Sequence, residues 1–259
     1  MATLNSDKSW ISYGKKNAYY GVLSDDQYLD KNLTDESKKK FFSSGYTYVD
    51  NIFKIIYKDF DEEFRPNKAV DFGCGTGRLA IPLAKKAVEV VAVDVSDDMI
   101  EEARVNAKAN NLSNITFRIS DDFVSDMSGE KFDLINSYIV FQHINLERGQ
   151  RIFKKLIESL NLNGIGVIHL TYENKRSTFK RVVDKFRYRI PYFDDLLNLI
   201  RGKSTLLPLM QMNNYNLNKI FLILQNEGIE KMQTIFTDHG GYFGVVLIFQ
   251  RKENTGKSL

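Results

Sequence analysis

A single cysteine, Cys74, stands among 259 residues. No intrachain disulfide can form, and no cysteine-rich zinc site is available; a reducing, cytoplasmic setting is the expectation. Net charge is scarce as well. Lys and Arg number 36 against 33 Asp and Glu, leaving +3, where a dedicated nucleic-acid binder usually carries a strong basic excess. No stretch approaches the roughly 18 consecutive apolar residues of a membrane span, and the opening MATLNSDKSW has no apolar signal core. Internal repeats are absent. What the chain does have is 43% apolar and 12% aromatic residues, enough for a sizeable core. Its length fits one α/β core with an insertion.

Residues 1–65 mix aromatics with a charged helix start at Thr34-Asp35-Glu36, and 37–60 carries apolar residues near the 3.6 period. Pro66-Asn67 punctuates the end of this N-terminal part. From Lys68 onward strands and helices alternate. Strands are predicted at 68–72, 88–93, 115–119, 132–138 and 165–172, and helices at 77–86, from the Ser96 cap to Asn110, and at 147–160. This alternation predicts a doubly wound α/β fold on a mostly parallel sheet with right-handed crossovers. The pattern breaks over 173–215, an insertion that is basic first and apolar later. A helix at 216–227 and strands near 231–236 and 242–251 follow. The short connection at 237–241 makes the last two an antiparallel hairpin, for seven strands in all.

The run Asp71-Phe72-Gly73-Cys74-Gly75-Thr76-Gly77 joins the first strand to its helix. Glycines there let the backbone approach a ligand closely, and the helix N-terminus presents free N–H groups. Nicotinamide- and flavin-binding loops share those properties. Three details differ. The spacing is Gly-x-Gly-x-Gly, Asp71 stands two residues before Gly73, and Asp94 ends the second strand, where a carboxylate can accept from both ribose hydroxyls. Together with Ser120-Asp121-Asp122-Phe123, Phe132-Asp133-Leu134-Ile135-Asn136-Ser137 and Asn163-Gly164-Ile165-Gly166, these resemble the motifs of class I S-adenosylmethionine-dependent methyltransferases.

The resemblance implies S-adenosylmethionine as cofactor and S-adenosylhomocysteine as product. It implies that Gly73, Gly75 and Gly77 give the cofactor close backbone contact and that Asp71 orients the loop or meets the amino group through water. Asp94 would hold the ribose, with Val95 and Met99 at the adenine face, Asp121 or Asp122 at the exocyclic amine and Phe123 beside the ring. Ser137 would lie near the methionine carboxylate. N-terminal aromatics, Tyr13 and Tyr20 among them, would form a helical lid over 1–65, and the cofactor domain with its insertion would occupy 66–259. Cys74 reads as a small loop residue, and Asp97-Asp98 as first-turn helix charge rather than a metal site.

Ligands of open α/β sheets bind beyond the carboxyl ends of the strands. His143, in Phe141-Gln142-His143-Ile144 after the fourth strand, is therefore the expected general base. His239, in the hairpin connection, is an expected acceptor contact if the sixth strand runs parallel, whereas His169, inside a strand, reads as core. The insertion carries nine Lys and Arg against four acidic residues over 173–203, and Arg176, Arg181, Met212 and Tyr215 are the expected acceptor-binding residues. That balance points to a small anionic acceptor, such as a phosphorylated or nucleotide-linked sugar of a surface-polysaccharide precursor, methylated on a hydroxyl or amine. RNA or protein methylation and a non-catalytic cofactor-binding module are the alternatives. After the fourth strand stands Asn136-Ser137-Tyr138-Ile139 in place of the Asn/Asp-Pro-Pro-Tyr-type motif of nucleobase N-methyltransferases.

Overall fold

The structure, a computed structural model, describes residues 6–119, 129–176 and 210–252. Within them seven strands form one sheet: β1 Lys68–Phe72, β2 Glu89–Asp94, β3 Ile115–Ile119, β4 Phe132–Ser137, β5 Leu160–Asn174, β6 Lys231–Asp238 and β7 Tyr242–Gln250. Their order is β3-β2-β1-β4-β5-β7-β6. β1 runs parallel to β2 and β4, β2 to β3, and β4 to β5. β7 is antiparallel to both β5 and β6, so β6 points the same way as β5. The expected doubly wound, mostly parallel sheet with a C-terminal hairpin is the fold observed. The central strands β1 and β2 are buried almost end to end, as strands covered on both faces must be.

The helices are α1 Ser6–Lys15, α2 Ala18–Val22, α3 Asp35–Asp59, α4 Ala80–Leu83, α5 Asp97–Ala109, α6 Leu146–Glu158 and α7 Leu217–Asn226. One face of the sheet is covered by α3, α4 and α5, through Val49, Ile52, Phe53, Leu83, Ile100 and Ala103. The other is covered by α6 and α7, through Ile152, Phe153, Leu156 and Leu224. The amphipathic α3 thus contributes to the main core, whereas α1 and α2 lie outside the sheet layers against α5. A Cβ on Gly14 would fall 2.2 Å from Ser96 Oγ, so α1 meets the start of α5 at a glycine.

Two local expectations are corrected. The helix expected over 77–86 contracts to α4, because Pro82 has no N–H to return to the carbonyl of Arg78 and crowds that carbonyl. The carbonyl instead faces α3, where Gly45 leaves room; a Cβ there would lie 2.1 Å from Arg78 O. The strand expected over 165–172 starts earlier, and Asn163-Gly164 lies inside β5. Asn163 takes a positive φ of 63°, and the register with β4 shifts between Phe132 and Leu134, so the pair is absorbed as an irregularity of one longer strand.

The strand order reverses between β1 and β4, and such switch points open a crevice beyond the carboxyl ends. The glycine loop after β1, Asp94 at the end of β2 and the segment after β4 all meet there.

Candidate functional site

The loop after β1 is tied to β2 from two sides. The N–H groups of Gly73 and Cys74 donate to Val93 O at 2.8 and 2.9 Å. The Asp94 carboxylate accepts from Gly75 N at 2.9 Å and from Ser96 N at 3.0 Å. Burial raises the Asp94 carboxyl above its usual range, and the N–H groups of Ser96 and Gly75 counter that rise. A carboxylate offers about four lone-pair sites, so both oxygens can still accept from ligand hydroxyls. Gly73 and Gly75 hold φ of 77° and 52°, the region that favours glycine. A Cβ on Gly73 would meet Val140 Cγ2 at 2.3 Å, and one on Gly75 would meet Val22 Cγ2 at 2.5 Å. Asn106 donates to Thr76 O at 3.0 Å. Tyr19 in turn donates to Glu102 at 2.6 Å and lies 3.0 Å from Asn106 Oδ1, linking α2 through α5 to the loop.

Behind the loop, Asn136 Nδ2 donates to Asp71 Oδ1 at 2.7 Å. Burial lifts the Asp71 carboxyl to about 6, opposed by the Asn136 hydrogen bond and the Arg78 charge. Asp71 Oδ2, Thr76 Oγ1 and Ser137 Oγ are buried with no hydrogen-bond partner among the described residues. Unpartnered buried polar atoms are uncommon. Three of them lie behind the glycine cradle, and the cradle itself, with a carboxylate at the next strand end, suits a ligand rich in hydroxyl groups.

A cavity of about 530 Å³ opens on this cradle. Of the residues singled out in the sequence, Gly73, Gly75, Asp94, Val95, Met99, His143, Met212 and His239 line it. Others do not reach its wall. Asp71 and Ser137 are buried behind it, and Gly77 packs toward Ala103 of α5. Tyr13 is buried, its ring stacked 6.3 Å from that of Tyr20, and the N-terminal aromatic that lines the cavity is Trp10 instead. Arg176 lies with its guanidinium 4.3 Å above the Tyr242 ring, one layer outside the wall that Tyr242 forms. Tyr215 is buried in the core and is not among the residues that line the cavity. Its hydroxyl lies 3.0 Å from Phe141 O and 3.2 Å from Ile144 O, and its ring tip fills the space left by Gly149. It braces the turn that carries His143. Asp121, Asp122, Phe123 and Arg181 lie outside the described residues.

His143 is 6% exposed. Its Nδ1 lies 2.7 Å from Gln211 O, a carbonyl that can only accept, so Nδ1 carries the proton. Nε2 is then the acceptor, 3.3 Å from Gln142 Nε2, whose amide is oriented by Thr171 Oγ1 donating to Gln142 Oε1 at 2.8 Å. Trp10 packs edge-on at 4.8 Å. Burial lowers the His143 pKa to about 4, against the pull of the Gln211 carbonyl. The folded chain therefore keeps His143 neutral where an unfolded chain protonates it below about 6.5, and stability drains away as pH falls from about 6.5 toward 4. His143→Gln removes this loss. By urea unfolding, the variant gains on the wild type by about 2 kcal/mol between pH 7 and pH 5; parallel pH curves would contradict the buried neutral imidazole.

Since β6 parallels β5, His239 falls at the carboxyl edge, and its pKa is lowered by burial. His169 is fully buried, Nε2 2.9 Å from Thr237 Oγ1. Sequence reasoning missed Asp7, Trp10, Gln142, Arg148 and Tyr242, which also line the cavity. Among the described residues no helix is long and apolar enough to cross a membrane, and no group of three or more His, Cys, Asp or Glu residues is placed to hold a metal ion.

A doubly wound sheet ending in a reversed hairpin, with a glycine cradle after β1 and a carboxylate closing β2, is the fold of class I S-adenosylmethionine-dependent methyltransferases. Residues 69–164 match the family model described as a methyltransferase domain. The 23S rRNA (uracil(1939)-C(5))-methyltransferase RlmD of Shewanella sp. (strain W3-18-1) is 34% identical over 114 residues, 42% of this chain and 25% of that protein. The ubiquinone biosynthesis O-methyltransferase of Bartonella tribocorum is 39% identical over 77 residues, 30% of this chain and 31% of its own. The chain thus spans less than a third of either relative. Magnesium protoporphyrin IX methyltransferase from Synechocystis PCC 6803 with bound SAH superposes with a TM-score of 0.65 at 18% identity, covering 96% of this chain and all of its own. N-methyltransferase NodS from Bradyrhizobium japonicum WM9, in complex with S-adenosyl-L-homocysteine, gives 0.54 at 13% identity, covering 92% of this chain and all of its own. At such identities the structural likeness is one of fold.

Proposed function

We propose that the chain transfers a methyl group from S-adenosylmethionine to a hydroxyl or amine of a small molecule, with a carboxylate- or phosphate-bearing acceptor, sugar derivatives included, as the finer reading. One observation carries it: the glycine cradle, Asp94 and His143 border a single cavity. Gly73 and Gly75 would hold the methionine and ribose portions, Asp94 the ribose hydroxyls, and Val95 and Met99 the adenine face. Asp71, buried behind the wall, would orient the loop or meet the amino group through water, and the resemblance assigns Asp121, Asp122 and Phe123 to the adenine edge.

When bound, the cofactor supplies a methyl carbon on a positively charged sulfur, a good leaving group. The chain's own contribution is then alignment and exclusion of water. Trp10 and Val22, carried by α1 and α2, cover the cavity from the N-terminal side, the part of the lid role that falls to residues lining it. His143 Nε2 would exchange the hydrogen bond it takes from Gln142 for one from the acceptor's O–H or N–H, and so orient the acceptor's lone pair. A histidine with a pKa of about 4 is a weak base near neutrality, which favours acceptors that need little deprotonation. The anionic reading is supported by Arg148 in the wall and by the basic start of the insertion.

Incubation with methyl-labelled S-adenosylmethionine and panels of sugar nucleotides, phosphorylated sugars, aromatic acids and amines, with product mass recorded, tests the assignment. A product one methylene heavier is expected from an anionic panel. Methylation confined to RNA or protein would replace the small-molecule reading, and no transfer to any panel would favour a non-catalytic module.

A further inference from the structure

Arg148 and Asp7 face each other inside the cavity wall. Arg148 Nη1 lies 2.8 Å from Asp7 Oδ1 and 2.9 Å from Oδ2, with the two side chains 21% and 25% exposed. The partners are held very differently. Arg148 is in the first turn of α6, whose cap is Asn145, accepting from Glu147 N at 3.1 Å. Its neighbour Gly149 is clamped against the Tyr215 hydroxyl, where a Cβ would come within 1.9 Å. Asp7 is in the first turn of α1, outside the sheet layers, and α1 meets the body beyond it, at Trp10 against His143 and at Gly14 against Ser96. Among the described lining residues Arg148 is the one Arg or Lys.

We infer that Arg148 is the anion anchor of the acceptor site, and that the Asp7 carboxylate holds this anchor until an acceptor carboxylate or phosphate takes its place. The inference rests on the small-molecule methyltransferase reading and deepens it by naming the acceptor group. The exchange is electrostatically even. The incoming anion takes the place of the two Asp7 oxygens on Nη1, so the guanidinium exchanges one anionic partner for another, and removal of a partner without replacement would be the costly outcome. The Asp7 side chain is already a quarter exposed, and away from the guanidinium it keeps its favourable place at a helix N-terminus. Apolar walls at Trp10, Met210 and Met212 exclude water from the exchanged pair and strengthen it. The rival account makes the pair a tether that holds α1 down. The two accounts predict opposite signs for the Asp7 variant.

Trp10 is the chain's only tryptophan and lines the cavity, so its fluorescence reports occupancy. With the protein saturated by S-adenosylhomocysteine, benzoate, phenyl phosphate and the neutral benzamide are titrated into the wild type, Asp7→Asn and Arg148→Gln. Both anions should bind about tenfold tighter than benzamide, the scale of one charge-assisted hydrogen bond. Arg148→Gln should erase that preference. Asp7→Asn should tighten both anions several-fold, because a competing closed state is removed. Equal binding of benzamide and benzoate overturns the assignment. So does weakening of the anions by Asp7→Asn and Arg148→Gln alike, the tether result. If Arg148→Gln weakens S-adenosylhomocysteine itself, measured by calorimetry, the guanidinium serves the cofactor carboxylate and the inference is likewise overturned. A wild type that fails to bind S-adenosylhomocysteine overturns the underlying reading together with it, whereas the other outcomes leave that reading standing.

Discussion

Asp94→Ala raises the dissociation constant for S-adenosylhomocysteine by about two orders of magnitude, with the fold retained. The carboxylate receives Gly75 N and Ser96 N, so it fixes the cradle while keeping lone pairs for the ribose. Removing it loosens the loop and deletes charge-assisted acceptors worth about 1.5–3 kcal/mol each, and about 2.8 kcal/mol is a hundredfold. Asp94→Asn should fall between, since its amide oxygen can accept but its NH2 cannot. Calorimetry with circular dichroism as a fold control checks both variants. An unchanged affinity in Asp94→Ala would take the residue out of the site.

Gly45→Ala is expected to destabilise the fold by about 3 kcal/mol even though alanine is the better helix former by about 1 kcal/mol. The added methyl would stand 2.1 Å from the Arg78 carbonyl oxygen, a backbone atom on the stretch between the glycine loop and α4. That stretch cannot retreat without disturbing the cradle, so the variant should also weaken cofactor binding. Ser43→Ala, on the exposed side of the same helix, should lie within about 0.5 kcal/mol of wild type. Chemical denaturation distinguishes the two. A Gly45→Ala chain as stable as wild type would mean that α3 does not lean on Arg78 as described.

These two residues also mark what could be read from the sequence. Asp94 was legible because its meaning is local: an apolar run, a carboxylate at its end, and a capped helix beginning at Ser96. The strands β1 and β3 were bounded correctly for the same reason. Gly45 carried no such signal, since its role depends on a carbonyl 33 residues away that Pro82 leaves without its helical donor. Asp7 and Arg148 are separated by 141 positions, and no periodicity connects them. Tyr215 was expected at the acceptor because it follows the insertion, yet a buried pair of carbonyls on the His143 turn claims its hydroxyl. Tyr13 and Tyr20 were expected to cover the cofactor, but α1 turns Trp10 toward the cavity and Tyr13 into the core. Composition shows that an N-terminal aromatic layer exists, and only the packing of α1 against α5 shows which ring reaches the site.

The central claim is that the cavity beside the 71–77 loop is built for a sulfonium cofactor rather than a nicotinamide one. Calorimetric titration of the unmodified chain with S-adenosylhomocysteine and, separately, with NAD+ addresses it most directly. The account predicts saturable one-to-one binding of S-adenosylhomocysteine and no heat of binding with NAD+. Binding of NAD+, with none of S-adenosylhomocysteine at high micromolar concentration, would contradict it.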